Sequence, residues 1–151
     1  MKIQKSIEIA TPADKIWPHL IEPASVMKWC RHVERIILHS NERNHGLGGT
    51  FYLEERAMGR LLKLHFIVTE FEVNRRFAFK MISGDLVKGY EQKYTLEPHL
   101  YGTRLTCFEH VILPLGIMGK AAGLFRKPIS EARVSKMLVN IKSMGEVKDL
   151  P

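Results

Sequence analysis

Strand-like and helical patterns alternate along the first thirty residues of the chain. Residues 3–9 place three isoleucines in one period-two frame, which predicts a half-buried strand. Residues 11–14 are Thr-Pro-Ala-Asp, and this order predicts a helix start with the threonine at the N-cap and the proline at the first helical position. Apolar residues at helical spacing in 16–21 predict a first short helix, and residues 24–29 predict a second one.

The middle of the chain has the pattern of an antiparallel sheet. Short runs rich in valine, isoleucine and aromatic residues alternate there with turn residues. The connections are too short for crossover helices, so neighbouring strands must pair antiparallel. Six strands are predicted, at about residues 32–40, 49–57, 60–72, 75–83, 87–97 and 102–112. The predicted turns between them are Asn44-His45-Gly46, Met58-Gly59, Asn74-Arg75, Ser83-Gly84-Asp85 and Tyr101-Gly102.

The last third of the chain returns to a helical pattern. Residues 113–125 are apolar and contain three glycines, so the pattern assigns them no definite conformation. After Pro128, which suits a first helical turn, an apolar stripe predicts a long helix with Gly145 as its C-cap. The stripe consists of Val134, Met137, Leu138 and Ile141. These elements predict one α+β domain over residues 1–151, with seven strands, two short helices after the first strand and one long C-terminal helix.

Polar residues interrupt the apolar frames of three predicted strands. The apolar frames contain Phe51 and Leu53; Leu62, Leu64, Phe66 and Val68; Phe77, Phe79 and Met81; Tyr90, Tyr94 and Leu96; and Leu105, Cys107 and Val111. The interruptions are Glu55, Gln92 and Glu109. A carboxylate in a filled apolar core is costly unless it is paired. These positions therefore require a partner, a solvated strand end or a water-bearing cavity, and all three explanations stay open.

Length and composition fit one domain with an internal pocket. The chain has 151 residues, of which 45% are hydrophobic, and this suffices for one core. One long helix has too little surface to fill the concave side of a seven-stranded sheet, which favours a ligand pocket. The two cysteines, Cys30 and Cys107, are interpreted as reduced, and no signal-peptide pattern or long apolar segment occurs. The expected location is the cytoplasm.

Several other kinds of site lack their sequence signatures. The seven histidines do not have the spacing of a helical zinc motif, so no metal site is predicted. Residues 46–49 (GLGG) precede a strand and not a helix, so they do not form a phosphate loop. No nucleophile motif occurs and no cofactor is expected. Nucleic-acid binding is disfavoured because acidic residues are mixed into the same strands as the basic and aromatic ones.

Several segments together resemble the helix-grip superfamily, also called SRPBCC, which contains START lipid-transfer domains, the birch pollen allergen family and polyketide cyclase/dehydrase-like proteins. The resemblance covers nearly the whole chain. It implies a curved seven-stranded antiparallel sheet wrapped around the C-terminal helix, with a cavity for an apolar or amphipathic molecule such as a lipid or a polyketide-like compound. The segments are residues 7–17 (IEIATPADKIW), 27–29 (MKW), 68–72 (VTEFE), 75–79 (RRFAF), 94–98 (YTLEP), 102–106 (GTRLT) and 138–142 (LVNIK), with Glu146.

The resemblance transfers no catalytic residue, so function must be argued from the pocket. We favour a binding protein over the alternative, a polyketide cyclase or dehydratase-like enzyme with Glu55 or Glu109 as the catalytic candidates. An acid and a base that converge on one point would favour the enzyme. The candidate ligand-binding residues are Phe51, Leu53, Glu55, Leu64, Phe66, Phe79, Tyr90, Gln92, Tyr94, Cys107, Glu109, Met118 and Met137.

Positive charge is concentrated near the C-terminal end. The formal net charge is +7, and residues 113–151 contain seven lysines and arginines against three acidic residues. A solvated basic helix face is the ordinary explanation. The alternative is contact with an anionic membrane, because apolar residues 113–125 lie beside Lys120, Arg126 and Lys127.

Overall fold

The chain forms seven strands and three helices in the predicted order within the part that the structure describes. This computed structural model describes residues 1–39, 46–57, 59–85 and 87–147. The predicted turn residues Asn44, His45 and Met58 lie outside these ranges. The elements are β1 (Lys2–Ile9), α1 (Ala13–Ile21), α2 (Pro23–Trp29), β2 (Val33–Leu38), β3 (Thr50–Ala57), β4 (Arg60–Glu72), β5 (Arg76–Gly84), β6 (Gly89–His99), β7 (Gly102–Ile112) and α3 (Gly116–Gly145).

The strands form one antiparallel sheet in the order β1-β7-β6-β5-β4-β3-β2. The first strand pairs with the last one, so β1 and β2 occupy the two edges. Irregularities in the register occur in β4 between His65 and Phe66 and between Val68 and Glu70. Such bulges bend a strand and increase its twist, which favours the curvature of this sheet. The seven-stranded curved sheet with a long C-terminal helix confirms the predicted fold class.

The second half of α3 packs against the sheet through the predicted stripe. Val134, Met137, Leu138 and Ile141 are all buried. The prediction for the start of this helix was wrong, because α3 begins at Gly116 and continues through Pro128.

The first half of α3 contacts the protein through glycines. In residues 116–129, the buried positions among those described are Gly119 and Gly123. A Cβ atom on Gly119 would lie 2.2 Å from the carbonyl oxygen of Pro114, so no larger residue fits there without a shift. This half of the helix therefore buries no large side chain among its described residues. None of the described helices combines the length and the hydropathy of a membrane span.

Thr11 connects the end of α3 to the start of α1. The predicted N-cap role of Thr11 was wrong, because Pro12 occupies the N-cap position without a side-chain hydrogen bond. The Thr11 hydroxyl instead donates to the carbonyl oxygen of Gly145 at 2.8 Å. Gly145 is the last helical residue and Glu146 is the C-cap, which also corrects the predicted cap. The Glu146 carboxylate accepts a hydrogen bond from the Ala10 amide at 2.9 Å, so two contacts hold this end of α3.

Candidate functional site

An apolar cavity, here called the inner chamber, lies between the concave face of the sheet and the helices. Its volume is about 100 Å³. Four phenylalanines, Phe51, Phe66, Phe77 and Phe79, form one wall, with neighbouring ring centres 5.1 to 5.5 Å apart. The helical side includes Leu20, Ile21, Val26 and Trp29 from α1 and α2 and Met137 from α3. The chamber is therefore lined mainly by large apolar side chains.

A second cavity, here called the outer chamber, adjoins the first and has a volume of about 460 Å³. Arg126, Ile129 and Ser130 line it from α3, so it lies beside the exposed first half of that helix. The two chambers share four lining residues: Glu55, Leu64, Tyr90 and Arg133. Three of these four carry polar groups, which places polar chemistry at the junction between the chambers.

A hydrogen-bonded group at this junction is built around the fully buried carboxylate of Glu109. Arg133 Nη2 lies 2.5 Å from Glu109 Oε1. The Tyr90 hydroxyl donates to Glu109 Oε2 at 2.7 Å, and Gln92 Nε2 donates to the same oxygen at 3.4 Å. Of the three explanations that the sequence left open, the structure selects a partner for Glu109. We call these four residues together with Glu55 the polar cluster.

The local electrostatics keep Arg133 charged and Tyr90 protonated. Burial lowers the pKa of the Arg133 guanidinium. The charge of Glu109, together with Tyr90 and Glu55, raises this pKa by a larger amount, so the net shift is upward. Burial and the charge of Glu109 raise the pKa of Tyr90 well above its ordinary value. At neutral pH the cluster thus contains a permanent cation and a neutral phenol.

Glu55 is the carboxyl group of the cluster that remains available. It is half-buried and lines both chambers. Its carboxylate makes no hydrogen bond or ion pair within the part of the chain that the structure describes. Burial raises the pKa of Glu55, Arg133 lowers it and Glu109 raises it, with a net upward shift. Glu55 therefore holds a proton more readily than an exposed glutamate does.

Tyr94 brings one more polar atom to the inner chamber. Its side chain is 2% exposed, and among the described residues its hydroxyl has no oxygen or nitrogen hydrogen-bond partner, with the Cys107 sulfur as a weak acceptor nearby. The ring lies edge-on to Trp29, with centroids 6.3 Å apart. The nearby thiols are not reactive, because burial raises the pKa of Cys30 to about 11 and that of Cys107 to about 12.

Most of the candidate residues predicted from the sequence lie together. Glu109 lines the outer chamber, whereas Cys107 is buried, lines neither chamber and accepts a hydrogen bond from Gln92 Nε2 at 3.7 Å. Met118 lies apart from both chambers with 73% of its surface exposed, because the first half of α3 contacts the protein through its glycines. The residues that line the inner chamber are Phe51, Leu53, Glu55, Leu64, Phe66, Phe79, Tyr90, Gln92, Tyr94 and Met137.

Sequence reasoning missed Arg133, which it counted only as one of the basic residues near the C-terminus. One signal was present, because Arg133 lies four residues before Met137 and therefore shares the face of α3 that points inward. The contribution of α2 through Val26 and Trp29 was also missed. Among the described residues, no three histidine, cysteine or acidic side chains converge in a way that could hold a metal ion.

The curved sheet, the long C-terminal helix and the apolar chamber between them define a helix-grip protein with an internal cavity. A family model described as polyketide cyclase / dehydrase and lipid transport matches residues 1–142. The chain belongs to this family, as the resemblance of its segments predicted. No curated protein matches the chain.

Solved structures of similar shape cover almost the whole chain. Protein TTHA0849 from Thermus thermophilus has a TM-score of 0.79 and 17% identity, over 96% of this chain and 97% of its own. The ZhuI aromatase/cyclase from Streptomyces sp. R1128 has a TM-score of 0.79 and 12% identity, over 97% and 93%. A START superfamily protein from Mycobacterium smegmatis has a TM-score of 0.76 and 14% identity, over 95% and 98%. At these identities the likeness establishes the fold alone.

Proposed function

We propose that the protein binds a small amphipathic molecule, with its apolar part in the inner chamber and a polar group against the polar cluster. The observation that carries this proposal is that the two chambers meet at Glu55, Tyr90 and Arg133. The inner chamber, at about 100 Å³, is smaller than the ~300 Å³ at the low end of ligand pockets. A ligand therefore extends past the cluster into the outer chamber.

Apolar burial supplies most of the expected affinity. An aromatic group that buries about 200 Å² in the inner chamber gains about 5 kcal/mol before ordering costs. The polar cluster orients the ligand, because the Arg133 guanidinium carries several N–H donors in a fixed planar arrangement. Its Nη2 contacts Glu109 and its Nη1 contacts the Met137 sulfur at 3.8 Å, so further donors remain available to a ligand.

Binding is tested by titration with 1-anilinonaphthalene-8-sulfonate, a fluorescent aromatic amphiphile, followed by competition with fatty acids, sterols and hydroxylated aromatic compounds. Val26→Trp is expected to fill the inner chamber and to weaken probe binding at least tenfold. Met27→Trp is the matched control, since Met27 is exposed on the same helix and does not line the chamber. Equal affinities of the two variants would contradict binding in this chamber.

The second candidate function is acid–base catalysis of the cyclase or dehydratase type, as the printed family description and the aromatase/cyclase neighbour suggest. Glu55 favours it, because its raised pKa and lack of a hydrogen-bond partner among the described residues suit a proton donor. Glu109 does not suit a free base, since Arg133, Tyr90 and Gln92 all donate to it. This imbalance supports binding over catalysis.

Replacement of Glu55 separates the two candidates. If Glu55 is the acid, Glu55→Gln abolishes product formation from a β-keto substrate while binding and folding stay nearly intact. An equal loss of binding and turnover would count against catalysis by this residue.

The proposed location of the protein is the cytoplasm. Both cysteines are free and buried, and free thiols are typical of proteins from reducing compartments. Fractionation of the native host with an antibody against the protein tests this assignment. Recovery of the protein in the medium or an exported fraction would contradict it.

We further propose that the first half of α3 contacts an anionic phospholipid bilayer. Ile117, Leu124 and Phe125 are 75% to 85% exposed there. No aspartate or glutamate occurs between residues 110 and 130, whereas Arg126 and Lys127 lie next to the apolar side chains. Each basic residue near an anionic surface contributes about 1 kcal/mol to binding. Because Arg126 also lines the outer chamber, this contact would place the chamber beside the membrane.

Vesicle co-sedimentation tests the membrane contact. The protein is expected to bind vesicles of phosphatidylserine and phosphatidylcholine at low salt, and to dissociate at high salt. Phe125→Asp should abolish binding, whereas Val139→Asp, on the second half of the same helix, should leave it unchanged. Absence of binding to anionic vesicles even at low salt would refute the proposal.

A further inference from the structure

The Tyr94 hydroxyl is a buried polar group that takes no part in the hydrogen bonds of the polar cluster. Buried hydroxyl groups in proteins are nearly always hydrogen-bonded, and each exception requires an explanation. Tyr94 lines the inner chamber and does not line the outer one, so its environment is the apolar part of the site. The Tyr94 ring is roughly perpendicular to that of Trp29, and among the described residues the polar atoms near the Tyr94 hydroxyl include the Cys107 sulfur, which is only a weak acceptor.

Tyr94 lines only the inner chamber, whereas Glu55, Tyr90 and Arg133 line both chambers. Tyr90, Gln92 and Tyr94 lie at alternate positions of β6, and alternate side chains share one face of a sheet. The rise of about 3.3 Å per residue places the Cα atoms of Tyr90 and Tyr94 about 13 Å apart. The site therefore has polar groups at two points, with the four phenylalanines of the apolar wall lining the same chamber.

We infer that the ligand carries a second hydrogen-bonding group, such as a hydroxyl or carbonyl oxygen, at its inner end, and that Tyr94 positions it. The inference rests on the proposed function and specifies its ligand class, a compact compound with oxygen substituents at both ends. An unsubstituted acyl chain in the inner chamber would leave the Tyr94 hydroxyl without an oxygen or nitrogen partner. A ligand oxygen beside Tyr94 gains a hydrogen bond that a simple fatty acid cannot make, and this difference favours the oxygen-bearing ligand.

The test uses two rod-shaped probes of the same size, 4,4′-dihydroxybiphenyl and 4-hydroxy-4′-methylbiphenyl, which differ in one polar group. Calorimetric titration of the wild type is expected to show tighter binding of the dihydroxy compound. Tyr94→Phe should reduce this preference about fivefold to tenfold, the effect of one hydrogen bond. A structural role for Tyr94 would change the affinity for both probes equally and leave their ratio unchanged.

Tyr52→Phe is the matched control, since the Tyr52 hydroxyl donates to Glu54 and Tyr52 lines neither chamber. This control should keep the wild-type preference. Tyr94→Phe removes a hydroxyl without an oxygen or nitrogen partner, so its melting temperature when empty should not fall below that of the wild type. If both probes bind and Tyr94→Phe keeps the wild-type ratio, the inference is overturned and the proposed function stands. If neither biphenyl binds the wild type but 1-anilinonaphthalene-8-sulfonate does, the inference is overturned and the proposed function stands; if none of the three binds, both are overturned.

Discussion

Removal of Arg133 should be the most damaging single change at the polar cluster. The replacement Arg133→Met keeps most of the side-chain volume and removes the cation from Glu109, whose side chain is 0% exposed. A buried ion pair broken on one side costs about 3–5 kcal/mol. Arg133 is 30% exposed, and Tyr90 and Gln92 still donate to Glu109 in the variant, so the expected loss is at the low end, about 3 kcal/mol.

For a domain of this size, about 3 kcal/mol corresponds to a fall in melting temperature of about 6–12 °C. The assay is thermal and urea unfolding at pH 7, monitored by circular dichroism. Glu109→Gln alone should cost less, since it leaves Arg133 able to reach solvent.

The double variant Arg133→Met with Glu109→Gln completes the cycle and isolates the pairwise interaction. It should recover at least half of the stability that Arg133→Met loses. A loss below about 1 kcal/mol for Arg133→Met, or a double variant as unstable as the sum of the two single ones, would show that the ion pair does not stabilise the fold in this way.

Three further variants test other parts of the structure. Glu55→Gln should raise the melting temperature at pH 7 by about 2–4 °C, the effect of ~1 kcal/mol, because the wild type ionises a partly buried carboxyl with a raised pKa. The gain should vanish near pH 4, because the wild type loses stability only when Glu55 ionises, and a carboxyl with a raised pKa ionises as the pH rises. A gain that does not depend on pH would contradict this cause. Glu146→Gln should lower the melting temperature by about 1–2 °C above pH 5 and have no effect near pH 2, because hydrogen bonds from Lys142 and Ala10 lower the pKa of this partly exposed carboxyl. A loss that persists near pH 2 would contradict this cause. Gly102→Ala should destabilise the protein by more than about 3 kcal/mol in urea unfolding, because the added Cβ would lie 2.0 Å from the carbonyl oxygen of Ile9; near-wild-type stability would show that this contact relaxes.

The elements that the sequence predicted correctly are those whose pattern follows from burial on one side. The strands alternate because one face of the sheet covers the core, and the stripe of Val134, Leu138 and Ile141 follows from packing of α3 on that face. The first half of α3 has no such stripe because it buries no large side chain among its described residues, so its helical state left no periodic signal.

Single side chains that act through distant partners were the hardest to predict. Arginine is usually a surface residue, so nothing in the local sequence marks Arg133 as part of a site. Only the fold brings it to Glu109, 24 positions away. Thr11 carries a good N-cap hydroxyl, but the end of α3 offers it the Gly145 carbonyl 134 positions along the chain. Glu109 itself was predicted as an unusual position, although the reason for it, a buried ion pair, required the structure.

Ligand binding in the cavity between the sheet and α3 can be measured directly by native mass spectrometry of the protein purified from its own host. A retained small molecule is expected on the wild type and on the control Met27→Trp, and none on Val26→Trp, which fills the inner chamber. A wild-type protein that is consistently empty, and whose melting temperature does not shift with lipids, sterols or aromatic polyketides, would contradict ligand binding in this cavity.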